Sequence, residues 1–187
     1  MYNVAIIGGG PAGIFSALEI TKLKPDWKVV LVEKGVRIEE RKCLLREGME
    51  KCPHCKKCGL LCGWGGAGAF SDGKLTLTPD VGGHLLEFMN RKSVEDLIKY
   101  TDDTYLKFGA TDEVFGTDKE VFAELERQAV LAELKLVHSP VRHLGTERSL
   151  DVLKNMQDYL SERITILYDT PAEQLIVENG SVKGFIT

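Results

Sequence analysis

The residues with the clearest chemical purpose stand near the start of the chain. Gly8, Gly10 and Gly13, within Gly8-Gly9-Gly10-Pro11-Ala12-Gly13, have the spacing G-x-G-x-x-G. In such a turn the first glycine permits a tight exit from a strand. The second leaves the backbone bare for a pyrophosphate, and the third lets the next helix pack on the strand. Pro11 and Ala12 open that helix, whose unpaired N–H groups and positive dipole end face phosphate. Glu33 follows about 20 residues beyond Gly13, where a carboxylate accepts hydrogen bonds from ribose hydroxyls. These positions predict a dinucleotide-binding turn.

A second set is Cys52, Cys55, Cys58 and Cys62, spaced C-x2-C-x2-C-x3-C. Runs of this kind hold iron–sulfur clusters in bacterial ferredoxins, but there the fourth cysteine serves another cluster and precedes proline. Here Gly63 follows, so a single cluster needs Cys62 to bend back or Cys43 to supply a fourth thiolate. Zinc, held by three or four thiolates or by thiolates with His54, is an alternative. Structural or redox thiols without metal, beside the cations Lys56 and Lys57, are another.

Directly after the cysteines comes Gly63-Trp64-Gly65-Gly66-Ala67-Gly68-Ala69-Phe70-Ser71-Asp72-Gly73-Lys74. A backbone so bare of side chains suits a close approach to a ligand or another segment. Ser71, Asp72 and Lys74 can add hydrogen bonds and a positive charge, and the loop is expected to touch the ligand. In the charged stretch from Lys34 to Lys51, mostly a solvated loop or short helix, Arg41 is the basic residue expected to reach a phosphate. His143, in a loop, is the preferred histidine should one act.

The elements that must position these groups follow from periodicity. Val4–Ile7 and Trp27–Glu33 read as strands flanking a helix from Ile14 to Leu23, a parallel β-α-β unit. Residues 36–83 form the cysteine- and glycine-rich loop region, and 84–132 a helical insertion. Capping boxes are expected at Ser93 and Thr117, leading helices whose apolar stripes pack inward. Leu134–His138 reads as a short strand, and Leu150, Leu153, Met156 and Leu160 as the inner face of a helix. Arg163–Tyr168 is the expected third parallel strand. Asn179-Gly180 joins Ala172–Val177 to Val182–Ile186 as a hairpin.

The chain has 187 residues, 43% hydrophobic and 28% charged, with net charge −4. That composition fits a soluble α/β protein with a sizeable core and gives no broad attraction to nucleic acid or anionic membranes. No apolar run reaches a membrane span, and five cysteines suit a reducing, cytoplasmic setting.

Ala5-Ile6-Ile7-Gly8-Gly9-Gly10-Pro11-Ala12-Gly13 with Glu33-Lys34-Gly35 resembles FAD-binding flavoproteins of the glutathione-reductase-like superfamily. The run from Gly63 to Leu75 resembles, more narrowly, a family of poorly characterised NAD/FAD-utilising FAD-dependent dehydrogenases. The resemblance implies a Rossmann-like, three-layer FAD-binding domain spanning 1–187, with a helical insertion and a C-terminal β-hairpin. By the same resemblance Gly8, Gly10, Pro11, Ala12 and Gly13 face the pyrophosphate, and Glu33 with Lys34 flanks the adenosine ribose. Gly65, Gly66, Ala67, Gly68, Ser71, Asp72, Gly73 and Lys74 run toward the isoalloxazine, and Ala172 meets the adenine edge. Relatives of this kind carry a later glycine–aspartate motif for the flavin ribityl chain. None is present here, so the domain is expected to be incomplete, needing the rest of the enzyme or a partner subunit. The implied function is an FAD-dependent oxidoreductase acting on a small redox substrate, with NAD(P)H as reductant. Three alternatives stay open: an iron–sulfur or thiol electron-transfer flavoprotein, a non-catalytic nucleotide-binding module, and an NAD-binding Rossmann domain.

Overall fold

Short β-branched runs bounded by glycine or charge favour strands, and longer stretches with a 3.6-residue period favour helices. The computed structural model describes residues 1–187 and follows that division. In chain order the elements are β1 (Val4–Ile7), α1 (Pro11–Leu23), β2 (Val29–Val32), β3 (Lys74–Thr76), α2 (Arg91–Lys107), α3 (Lys119–Leu131), β4 (Val141–His143), α4 (Gly145–Ser161), β5 (Thr165–Leu167), β6 (Gln174–Glu178) and β7 (Ser181–Ile186). Single 3-10 turns occur at Ile38–Glu40, Gly66–Phe70 and Leu85–Glu87. The chain divides into two compact units, Met1–Ser71 with Leu150–Thr187, and Asp72–Ser149.

The first unit is built on a parallel sheet of order β1-β2-β5. Val4 pairs with Val29 and Ile7 with Val32, while Val30 to Val32 pair with Thr165 to Leu167. All four residues of β2 are buried, as expected of a central parallel strand covered on both faces. The core adds Ile14, Ala17 and Leu18 of α1, Val152, Leu153, Met156 and Leu160 of α4, and Trp64. Burying each such Leu or Ile contributes about 1.5–3 kcal/mol. Gln157, fully buried on α4, accepts from Ile38 N–H at 3.0 Å and donates to Glu39 at 2.9 Å. It thereby pins the 3-10 turn that follows β2. The hairpin β6–β7 turns through Asn179 and Gly180, both at positive φ (50° and 74°). That is the conformation a two-residue primed turn requires.

In the second unit β3 and β4 pair antiparallel, Leu75 opposite Arg142. The insertion expected over 84–132 is therefore part of a larger unit that carries its own strand pair as well as helices. Both helices begin on a different cap from the one read in the sequence. Asn90 accepts from Ser93 N–H at the start of α2, and Asp118 accepts from Glu120 and Val121 N–H at the start of α3. Asn and Asp serve there for the same reason Ser and Thr would, a short acceptor reaching the first free N–H groups. The strand expected over Leu134–His138 does not form; Val141–His143 takes that role because β3 supplies it a ladder partner. Nor does α3 bury its apolar stripe: Val121 and Leu125 are half-exposed or more, and no α3 residue is buried.

What fastens the second unit is Arg142. Its side chain is only 5% exposed; Nη2 donates to Asp102 Oδ2 at 2.8 Å and Nη1 to the Thr111 carbonyl. Removing one partner of a buried ion pair strands the other charge. Asp102→Ala is expected to destabilise the protein by about 3 kcal/mol, read as a lower urea midpoint. An unchanged midpoint would contradict this role.

Candidate dinucleotide-binding site

The turn after β1 behaves as its glycines require. Gly8 sits at φ +100°, a conformation that side chains rarely adopt. A Cβ on Gly13 would lie 2.0 Å from the Gly8 carbonyl oxygen and 3.3 Å from Ile6 Cγ2. The helix thus rests directly on the strand exit. Gly10 differs from both: φ is −79°, and no heavy atom lies within 4 Å of where its Cβ would stand. Pro11 occupies the first position of α1, and no side chain caps this end. The first backbone bond of the helix runs from Ile14 N–H to the Gly10 carbonyl at 2.9 Å. Ahead of it, the Ala12 and Gly13 N–H groups form a bare, positively polarised helix end.

Glu33 stands one residue beyond β2 and is 6% exposed. Its Oε2 accepts from Gly9 N–H at 2.6 Å, and Oε1 accepts from Gly35 and Gly63 N–H, each at 2.8 Å. A carboxylate offers about four acceptor positions, and backbone donors fill three of them. Gly35 and Gly63 come this close because neither carries a side chain: a Cβ on Gly35 would lie 2.3 Å from Gly63 N. These partners escaped the sequence reading. The signal available was glycine beside the expected acid and again after the last cysteine.

Arg41 does not reach toward phosphate. It is 6% exposed and turns into the irregular segment. Nε donates to Gly59 O at 3.1 Å, Nη2 to Leu60 O at 2.8 Å, and Nη1 to Trp64 O and Gly66 O at 2.7 Å each. The guanidinium also lies 4.8 Å from the Phe70 ring centroid. Burial pulls its pKa below the usual value, while Glu33, Cys62 and Cys58 nearby act in the opposite direction. The expectation of a phosphate ligand is corrected for a physical reason: its donors are spent on backbone carbonyls of the 59–66 segment.

The glycine-rich loop lies against the turn. Gly65 N–H donates to the Gly9 carbonyl at 2.8 Å, and a Cβ on Gly66 would meet Gly10 Cα at 3.3 Å. Trp64, fully buried, anchors the loop through Nε1 to the Leu153 carbonyl at 2.8 Å. Ala67 and Gly68 are exposed, and the Ser71 hydroxyl turns back to donate to Gly68 O at 2.7 Å. Asp72, Gly73 and Lys74 belong to the second unit, where Lys74 pairs with Asp72 at 2.7 Å. Lys34 is exposed. Thr170 N–H donates to Glu33 O and Asp169 N–H to Gly35 O, which ties the irregular segment leading to half-buried Ala172 back to the β2 end.

The cysteines are not assembled into a metal centre. Cys52 and Cys55 are exposed, Cys43, Cys58 and Cys62 are half-buried, and all five are free thiols. No three His, Cys, Asp or Glu side chains stand in metal-binding geometry. The loop is organised around Arg41 and Glu33, and no three of its thiols are gathered to one point. His143 lies in β4, and its ring meets Phe115 edge-on at 6.4 Å.

Comparisons with known proteins agree with this architecture. No family model matches the chain. An uncharacterized protein of Clostridium beijerinckii is 30% identical over 127 residues, covering 65% of this chain and 22% of its own length. Among solved structures, a 3-ketosteroid-Δ4-(5α)-dehydrogenase from Rhodococcus jostii superposes with a TM-score of 0.56 at 14% identity. The match covers 98% of this chain and 41% of the dehydrogenase. A glycine oxidase from Bacillus cereus matches with a TM-score of 0.47 at 16% identity, over 100% of this chain and 51% of its own. The chain therefore spans less than half of the dehydrogenase and about a fifth of the clostridial protein. No helix is long and apolar enough to cross a membrane. The chain shares the mixed α/β fold, with its parallel sheet, of the dehydrogenase domain it overlays.

Glu33→Gln tests the carboxylate as the centre of this arrangement. A glutamine has one acceptor oxygen and sets an NH2 group against a backbone donor, leaving a buried N–H unsatisfied at about 1–3 kcal/mol. The expected result is a lower urea midpoint and faster proteolysis within 35–66. Wild-type values for both would refute it.

Proposed function

We propose that this chain binds FAD across the Gly8–Gly13 turn and serves as the flavin-binding part of an oxidoreductase. The observation that carries the reading is Gly10. Gly8 is glycine for its φ and Gly13 for its crowding, but nothing inside the protein requires glycine at position 10. A pyrophosphate closing on the bare backbone supplies the missing reason. The residues present fit that group: an uncapped helix end in front, exposed Ala67 and Gly68 alongside, and Glu33 held at the end of β2.

In this reading Gly10, Ala12 and Gly13 offer N–H groups to the pyrophosphate. The Gly65–Gly68 backbone borders it, and Glu33 keeps one acceptor position for a ribose hydroxyl. Ala172 faces the adenine. When bound, FAD supplies the hydride- or electron-accepting chemistry, and the protein supplies binding, orientation and electrostatics. The fold shared with a dehydrogenase supports FAD over NAD only together with the glycine-rich loop, whose backbone lies against Gly10. The Rossmann-like three-layer arrangement, the reduction by NAD(P)H and the small redox substrate belong to the same proposal. So does the need for the rest of a longer enzyme, since the chain covers 22% of its clostridial relative.

Gly10→Val separates binding from folding. The Cβ of valine meets no heavy atom within 4 Å and no forbidden φ in the free protein, so thermal stability should fall by no more than about 1 kcal/mol, the cost of a poorer N-cap. It would stand in the path of the pyrophosphate, and FAD affinity, read from quenching of flavin fluorescence, should fall at least about tenfold, or 1.4 kcal/mol. Equal FAD affinity in the two proteins would sink the assignment. NAD binding without FAD binding by the wild type would favour the NAD-binding Rossmann alternative.

A further inference from the structure

Two of the five thiols are held differently from the rest. The segment Cys58-Gly59-Leu60-Leu61-Cys62 makes a single helical turn, with Cys62 N–H donating to the Cys58 carbonyl at 2.7 Å and Leu61 N–H at 3.0 Å. That bond places residues 58 and 62 one turn apart on the same face. Arg41 fixes the turn from inside, through the carbonyls of Gly59 and Leu60. Gly59 is pressed on the Lys42 carbonyl, 1.9 Å from where its Cβ would stand. Cys58 and Cys62 are half-buried, whereas Cys52 and Cys55 are exposed on the preceding stretch. The Arg41 guanidinium is thus bonded to the two carbonyls that lie between the cysteines.

We propose that Cys58 and Cys62 form a dithiol that closes into an intramolecular disulfide by exchange with a low-molecular-weight disulfide. One thiolate attacks a sulfur of the small disulfide, forming a mixed disulfide and expelling one small thiolate. The second cysteine, as its thiolate, then attacks the mixed disulfide at the protein sulfur and expels the other small thiol. Two protein thiols are oxidised, one small disulfide is reduced to two thiols, and the two protons given up by the protein thiols end on the two expelled small thiolates. Thiolate charge developing in either step arises on the turn whose carbonyls the Arg41 cation holds. On a helical turn, Cβ atoms four residues apart stand about 5–6 Å from each other. A disulfide needs about 3.5–4.5 Å, so closure takes a movement of about 1–2 Å. The turn ends at Gly63, whose N–H is one of the three Glu33 donors, so that movement is felt at the site.

The sequence makes the test clean, because trypsin places the rival thiols on separate peptides: Cys43–Arg46, Cys52–Lys56 and Cys58–Lys74. The protein is incubated with oxidised glutathione without oxygen, quenched with N-ethylmaleimide, digested and weighed. The expected product is the Cys58–Lys74 peptide, lighter by two hydrogen atoms and unlabelled at both cysteines, with labelling restored by dithiothreitol. In Cys62→Ser, Cys58 should instead keep glutathione as a stable mixed disulfide. The proposal is overturned if Cys58 and Cys62 both remain labelled while Cys52 or Cys55 is glutathionylated. It is equally overturned if Cys58–Lys74 is found joined to another cysteine peptide, or if the wild type retains glutathione on both thiols.

Discussion

Everything around the candidate site depends on two opposite charges buried at the end of β2. The segment from Gly35 to Gly66 has almost no regular structure, so its backbone N–H and C=O groups lack the partners a helix or sheet provides. Left unpaired away from water, each would cost free energy comparable to a lost hydrogen bond. Glu33 collects N–H groups from Gly9, Gly35 and Gly63, and Arg41 collects carbonyls from Gly59, Leu60, Trp64 and Gly66. The carboxylate and the guanidinium are complementary in role and in charge. The hydrogen bonds each collects offset its own desolvation, and together the two give an irregular loop one conformation.

This arrangement changes what Glu33 can do for a ligand. A free carboxylate at the end of β2 would grip both hydroxyls of a ribose. Here the glycine turn, the β2 exit and the glycine-rich loop all hold the same two oxygens, and about one acceptor position is left. A ribose diol that takes both oxygens must displace a backbone N–H. The loop carrying Gly63 is the movable partner, because Gly9 and Gly35 adjoin the sheet. In the proposed reading, a nucleotide at the turn and the conformation of the 35–66 segment are linked through one side chain.

Local pattern was enough for β1, α1, β2, β5 and the Asn179-Gly180 hairpin, because each is specified by neighbouring residues: short apolar runs, a glycine turn, a dipeptide that tolerates positive φ. The helix caps slipped, since Asn90 and Asp118 are short acceptors within three residues of Ser93 and Thr117, and only the chain path decides which one starts the helix. The fate of Arg41 was hidden for a different reason. A basic residue near a phosphate motif reads as a ligand, whereas its true partners are carbonyls 18 to 25 residues away. The cysteine spacing misled likewise. It counts residues but says nothing about where side chains point once Gly59 and Gly63 fold the backbone around a guanidinium. The inward packing expected of α3 also failed, because periodicity identifies an apolar face without naming what lies opposite it.

The glycines carry the most transferable lesson, because a single sequence cannot say why any one of them is glycine. Gly8 is explained by backbone conformation, and Gly13 and Gly35 by the atoms a Cβ would strike. These residues serve folding, and replacing them would damage the protein whether or not it binds anything. Gly10 meets neither condition. A bare position that folding does not demand, set beside an uncapped helix end, is explained by an external group that must come closer than a side chain permits. The motif alone joins these glycines as one signal. Their surroundings divide it into a part that shapes the turn and a part left for the proposed ligand, and the functional proposal rests on the second.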